Sequence, residues 1–271
     1  MRFDRSFHSV LLAVVGTAAI SFSGCSTLSS GRTLGADATI RPGWTHVREA
    51  ARDAVMDPWV WTPLAGAVVL QIDDWDRRTS DWAREHTPIF GSRQNAENWS
   101  DSLRTGSLAL PLITLLATPG GDQPNEWLID KAKAGAVETA AVVATNLSTA
   151  GLKHGADRER PNEHDRKSFP SGHTSTAAVA GQLAAINLDA IDIDANLKRA
   201  ANVGIDAVVL GTGWARIESG WHYPSDTLAG MALGHFFASF IARSFLQAPE
   251  VQPFALTVSG DGAMLEWQLS F

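Results

Sequence analysis

Residues 153–173 read KHGADRERPNEHDRKSFPSGH, and residues 215–226 read ARIESGWHYPSD. Their spacing sets out Lys153, six residues, then Arg160-Pro161; Phe169-Pro170-Ser171-Gly172-His173; and Arg216, five residues, His222, three residues, Asp226. Phosphoryl transfer asks for positive charge around the non-bridging oxygens, a nucleophile in line with the leaving group and a proton donor beyond it. Lys153, Arg160 and Arg216 offer the charge, and an arginine fork pairs two phosphate oxygens where a lysine acts as a point charge. Pro170–Gly172 reads as the turn into a helix over Thr174–Leu188, so the Ser171 hydroxyl, the N–H groups of Ser171 and Gly172, and His173 are expected beside a bound anion.

The third block has its own logic. Pro224 disfavours helical geometry at Tyr223 and suits a first helical position, so a helix starts there with His222 just outside it. Asp226 then lies in the first turn, where the helix dipole favours a carboxylate that reaches back to the imidazole and fixes its tautomer. On this reading His222 is the nucleophile and His173 the acid.

Taken together and in this order, the blocks resemble the signature of the type 2 phosphatidic acid phosphatase superfamily, which also contains bacterial class A acid phosphatases and vanadium haloperoxidases. The resemblance implies an all-α helical bundle in which Lys153, Arg160, Ser171, Gly172 and Arg216 hold phosphate. It further implies a phosphohistidine on His222 oriented by Asp226, proton donation by His173, and no metal or cofactor, with vanadate as an inhibitor. The family usually has Ser before the last arginine, where this chain has Ala215.

Two other enzymes use similar groups. A haloperoxidase would hold vanadate as cofactor in the same residues, but the chain is short for one and His222-Tyr223-Pro224-Ser225-Asp226 resembles the phosphatase branch. A serine hydrolase on Ser171, His222 and Asp226 has no use for three cations and lacks the nucleophile-elbow pattern. A non-enzymatic envelope lipoprotein with a vestigial phosphate site is the third alternative, opposed by the intact motif. The acidic run Asp157, Glu159, Glu163, His164 and Asp165 has no metal-ligand spacing and reads as a solvated loop.

The N-terminus bears on location. Arg2 and Arg5 precede an apolar run of eleven residues, Val10–Ile20, too short for a bilayer span of roughly 20 and suited to a signal-peptide core. Ser21-Phe22-Ser23-Gly24-Cys25 resembles the lipobox of bacterial lipoproteins, and Cys25 is the sole cysteine. The resemblance implies a signal peptide over 1–24, acylation of Cys25, a tether over 25–43 and, from Ser26, transfer to an outer membrane facing the periplasm. Two or more acyl chains, at about 0.8 kcal/mol per buried methylene, give stable anchoring.

Removing residues 1–24 leaves 20 Lys and Arg against 28 Asp and Glu, a net charge of −8. Nucleic acid is therefore excluded as a partner, since its binding needs a basic surface. Residues 44–250 read as one helical catalytic domain, with helices expected over Trp44–Val55, Leu64–Trp82, Trp99–Ala117 kinked at Pro111, Asn125–Ala150 capped by Gly151, Thr174–Leu188, Leu197–Leu210 and Ser225–Phe245. Leu228–Ala242 is the longest apolar stretch and falls short of a span. Asp73–Arg84 reads as an exposed ion-paired face, His235 as a core residue, and most of the ten tryptophans as core, with Trp59 and Trp61 suited to a lipid interface. Residues 251–271 alternate around Gly260-Asp261-Gly262 and read as a β-hairpin. The pocket walls are not legible, so lipid phosphates, prenyl diphosphates and soluble phosphates all stay open as substrates, and membrane anchoring favours a lipid one.

Overall fold

The computed structural model describes residues 34–246 and, as backbone alone, the segments 254–259 and 262–267. The expected signal peptide, Cys25 and the start of the tether lie outside the described residues. The body is all-α, and its helices are α1 Trp44–Met56, α2 Pro58–Val69, α3 Trp75–His86, α4 Arg93–Ser107, α5 Ala109–Ala117, α6 Pro124–Ala156, α7 Gly172–Asp189, α8 Ala195–Glu218 and α9 Pro224–Ile241, the last continued by a π turn over Ala242–Leu246. At the C-terminus the backbone is assigned to two antiparallel strands, β1 Phe254–Ser259 and β2 Gly262–Trp267. The side chains of this segment and its turn residues 260–261 lie outside the described residues.

α7 is the central helix. Ala177, Ala178, Val179, Ala180 and Ala184 are fully buried, and a helix apolar on every side belongs inside a bundle. Its small residues admit close neighbours. A Cβ added at Gly230 or Gly234 of α9 would lie 2.5 Å from the carbonyl oxygen of Ser171 or Ser175, so α7 and α9 meet backbone to backbone, as small residues four apart allow. On the other side of α7, Gly181 admits Ile205 and Val209 of α8, and Val179 and Leu183 pack with Ala141 of α6 and with Ala238 and Ile241 of α9.

Several boundaries differ from expectation, and each difference moves a functional residue. α6 runs through Gly151 and ends at Asp157, which adopts a left-handed φ of 43°, so Lys153 sits in the last helical turn. α8 extends past Leu210 to Glu218, placing Arg216 at a helix C-terminus, where the dipole favours a cation. The expected helix over Leu64–Trp82 is divided: Asp73 and Asp74 take φ of 53° and 56°, a conformation Asp tolerates better than most residues. α4 and α5 part at Leu108, not at Pro111, which falls in the first turn of α5 where its missing N–H costs nothing.

Further corrections concern burial. Asp76, read as part of an exposed face, is 4% exposed. Of the tryptophans expected mostly in the core, Trp44 and Trp99 are 79% and 47% exposed; Trp75 and Trp82, on the face read as exposed, and Trp59 and Trp61, the pair suited to a lipid interface, are exposed as well. Leu34, within the segment read as a tether, is buried against Leu115, Ala134 and Leu246. The apolar stretch Leu228–Ala242, read as too short for a span, belongs to a longer helical run: with its π turn, Pro224–Leu246 is 23 residues and apolar enough to cross a bilayer by length and composition. Two thirds (67%) of its most apolar 18 residues are buried within the bundle. His235 does sit in the interior, with Nδ1 3.2 Å from Gln182 Oε1 and its ring stacked on Trp59.

Candidate active site

Four chain segments converge at one end of the α7–α9 pair: the last turn of α6, the loop 157–171, the end of α8 with the turn after it, and the first turn of α9. That turn needs Gly220, whose φ is 78°, a left-handed conformation glycine takes without strain. The N–H groups of Trp221 and His222 then return to the carbonyl of Arg216, setting His222 at the mouth of α9.

His222 is 2% exposed, and burial foremost lowers its pKa to about 3, so the ring is neutral. Its Nε2 lies 3.3 Å from Arg160 Nη1. A guanidinium has only donors, so Nε2 is the acceptor and the ring proton resides on Nδ1. Nδ1 faces Asp226 Oδ2 at 3.7 Å, an electrostatic contact longer than a hydrogen bond.

Asp226 is closer to other groups. It accepts from Arg158 Nη1 at 2.6 Å, Ser168 Oγ at 2.5 Å and the Tyr223 N–H at 2.8 Å. Burial works against its charge, yet the His222 contact, Arg158 and Ser168 together hold its carboxyl below the usual carboxylate range. Arg158 is itself fixed: Nη2 donates to Asp76 Oδ2 at 2.6 Å, Nη1 to Ser225 Oγ at 2.8 Å, and its guanidinium lies 4.3 Å from the centre of the Tyr223 ring. Asp76 also accepts from the Ser225 N–H and Oγ, tying α3 to the entrance of α9.

The three expected cations share this end of the bundle. Arg160 donates to Asp165 Oδ1 at 2.6 Å and to the Trp221 carbonyl at 3.0 Å. Trp221 has the guanidinium of Arg160 4.9 Å from its ring centre and that of Arg216 at 5.0 Å, the arrangement in which a π face offsets positive charge. Arg216 is buried; burial first, then Arg160, lowers its pKa to about 10, while its Nε has no hydrogen-bond partner. Lys153 donates to the Lys167 carbonyl at 2.6 Å; burial and then Arg160 pull its pKa down to about 8. The share of Arg160 in lowering both Lys153 and Arg216 marks cations held close enough to act on one anion.

The entrance of α7 closes the site. Ser171 caps the helix, and its N–H is spent on the Asp226 carbonyl at 2.9 Å, contrary to the expectation that it faces an oxyanion. Its buried hydroxyl accepts from Thr174. Gly172 and His173 occupy the first helical positions, whose N–H groups the helix leaves unpaired. A Cβ at Gly172 would lie 3.8 Å from Lys153 Cε, so the lysine stem passes this helix end. His173 Nε2 lies 2.7 Å from Asp101 Oδ1.

Asp101, Ser100, Arg158, Asp76 and Trp221 carried no role in the sequence reading. Ser100 accepts from Arg216 Nη1 at 3.2 Å, and Glu97, Ser100, Asp101 and Arg104 recur at three and four along α4, a polar stripe that signals one face turned to a polar site. The acidic loop residues are drawn into arginine pairs: Asp157 and Glu159 with Arg166, and Asp165 with Arg160. Among the described residues no group of three or more His, Cys, Asp or Glu is placed to hold a metal ion. Beside the site, a polar groove of about 570 Å³ is lined by Gln71, Arg77, Arg84, Arg158, Arg160 and Tyr223 among others.

No curated protein matches the chain. Among solved structures, a transmembrane PAP2-type phosphatidylglycerolphosphate phosphatase from Bacillus subtilis superposes with a TM-score of 0.52 at 19% identity, covering 68% of this chain and 92% of that one. At that identity the likeness is one of fold. Residues 135–249 match the sequence model of the PAP2 superfamily, a segment that holds all three motif blocks together with α7 and α9.

Proposed function

We propose that the protein is a phosphatase acting on phosphate esters carried by lipids, through a phosphohistidine on His222 and without a metal ion. The observation that carries this reading is the opposite state of the two histidines. Arg160 leaves His222 Nε2 with a lone pair directed into the cation cluster, whereas the carboxylate of Asp101 at His173 Nε2 requires a proton on that nitrogen. One ring is set to attack and the other to give a proton.

In this mechanism Lys153, Arg160 and Arg216, with the Ser171 hydroxyl and the free N–H groups at the start of α7, hold the phosphate oxygens. His222 Nε2 attacks phosphorus as the bond to the leaving oxygen breaks, and Asp226 stabilises the positive charge that develops on the ring. His173 protonates the leaving oxygen; burial, with Arg216 next, lowers its pKa to about 4, and the negative charge of a bound phosphate raises it. Water then attacks the phosphohistidine with His173 as base. The lipidated Cys25 and an outer-membrane location belong to the same proposal, because anchoring confines the enzyme to the surface where a lipid substrate resides.

The test is a phosphate-release panel on vesicle-borne phosphatidic acid, a prenyl diphosphate and a soluble aryl phosphate, with and without chelator. The expected result is turnover that survives chelator, is blocked by vanadate, and falls by at least about a thousandfold in His222→Ala. Full activity in that variant, or loss with chelator alone, overturns the mechanism. A clear preference for the soluble ester overturns the lipid substrate.

A further inference from the structure

Asp101 lies on α4, well before the motif blocks, and the family signature gives it no part. Its carboxylate nevertheless makes a hydrogen bond to the His173 ring, at 2.7 Å. The two groups differ in setting: the imidazole is 21% exposed and the carboxylate 62%, so Asp101 closes the solvent side of the ring and has room to swing. The neighbouring Ser100 accepts from Arg216, so one turn of α4 touches both the acid and a phosphate-holding cation.

Resting on the phosphatase reading above, we propose that Asp101 is the positioning residue for the leaving-group acid: it orients the His173 ring, keeps the proton on Nε2, and yields that edge of the ring to the leaving oxygen. The proton balance is simple. The bond from phosphorus to the leaving oxygen breaks as the bond to His222 Nε2 forms, the Nε2 proton of imidazolium His173 passes to the leaving oxygen, and neutral His173 is left to accept a proton from water in the second step.

The charges facing His173 explain why such a partner is needed. Arg216 on α8 and Arg104 on α4 both disfavour the imidazolium, as does burial, and Asp101 opposes all three; Lys153 of α6 passes the same helix end. Without Asp101 the imidazolium faces burial and two arginines with its hydrogen-bonded carboxylate gone. A carboxylate on the solvent side restores part of its basicity at no cost to the cluster that holds phosphate.

The experiment compares an alkyl phosphate, whose alkoxide must be protonated to leave, with 4-nitrophenyl phosphate, whose phenolate leaves unaided. In Asp101→Asn, kcat on the alkyl ester is expected to fall by about 100-fold, at the low end for loss of general acid help, and by at least about tenfold more than on the aryl ester. The acid works only when protonated, so the alkaline limb of the pH profile moves to lower pH in the variant, and Asp101→Glu recovers part of both changes. Equal losses on the two esters, or an alkaline limb that stays in place, overturn the proposal while leaving the phosphatase reading standing. Wild-type protein that releases phosphate from neither ester takes down both.

Discussion

Arg158 joins two buried carboxylates, and replacing it by methionine separates its contribution from simple bulk. Asp76 and Asp226 are 4% and 0% exposed, and each lies 2.6 Å from a different Arg158 nitrogen. Removing one partner of a buried pair costs about 3–5 kcal/mol. The low end applies here, because the arginine side chain is 29% exposed and both carboxylates keep other donors: Ser225 on Asp76, and Ser168 and the Tyr223 N–H on Asp226. Arg158→Met is therefore expected to lose about 3 kcal/mol in urea unfolding, or about 6–12 °C in Tm for a domain of this size. The pH dependence has a definite sign. Asp226 has a folded-state pKa below its usual 3.8, so its contribution is full above that value and is lost as pH falls through the depressed folded value. Arg158 is among the causes of the depression, so the gap between wild type and variant is widest near neutrality and shrinks below about pH 4. A variant within about 1 kcal/mol of wild type at pH 7, or a gap that widens in acid, would refute this account of the carboxylate pair.

Glu138 is buried, with burial the main cause of a pKa raised from 4.5 to about 7. The folded protein thus loses stability as pH rises from about 4.5 to 7, and Glu138→Gln should be more stable than wild type by about 2–3 kcal/mol at pH 8 and equal to it near pH 4.5; a pH-independent difference in denaturation midpoint counts against it. Gly234→Ala puts a Cβ 2.5 Å from the Ser175 carbonyl oxygen and 2.7 Å from Val179 N, so about 3 kcal/mol of stability and most of the activity should go together as α9 is pushed from α7. Gly204→Ala, whose Cβ meets nothing within 4 Å, is the control and should gain up to about 1 kcal/mol by helix propensity.

The motif blocks were legible because short-range rules govern them. Pro224 fixes where α9 begins and the Ser171 cap fixes where α7 begins, and a start defined by one residue's backbone preference reads directly from sequence. Ends were harder. Gly151 looks like a C-cap, but α6 continues because the face buried by Thr145 and Thr149 ahead of it carries on through half-buried Lys153 beyond it, and tertiary burial outweighs the roughly 1 kcal/mol that glycine costs a helix. Asp76 and Asp101 were illegible for another reason. A carboxylate in a charged, amphipathic stretch has the same local pattern whether it faces water or a buried arginine, and its partners Arg158 and His173 are 82 and 72 residues away. The exposed tryptophans failed the same way, since hydrophobicity alone does not say which side of a surface helix finds a partner.

Gly230 and Gly234 have a bearing on how this site can change over time. α7 carries His173 and α9 begins just after His222, and at these two glycines the helices meet through backbone atoms. A surface made of side chains can be altered one substitution at a time; this one cannot, because every replacement of either glycine adds atoms where there is no room. The spacing of His222 and His173 is therefore closed to gradual drift. α4 and the loop 157–171 reach the same site through side chains, and new substrate preferences must enter through those walls.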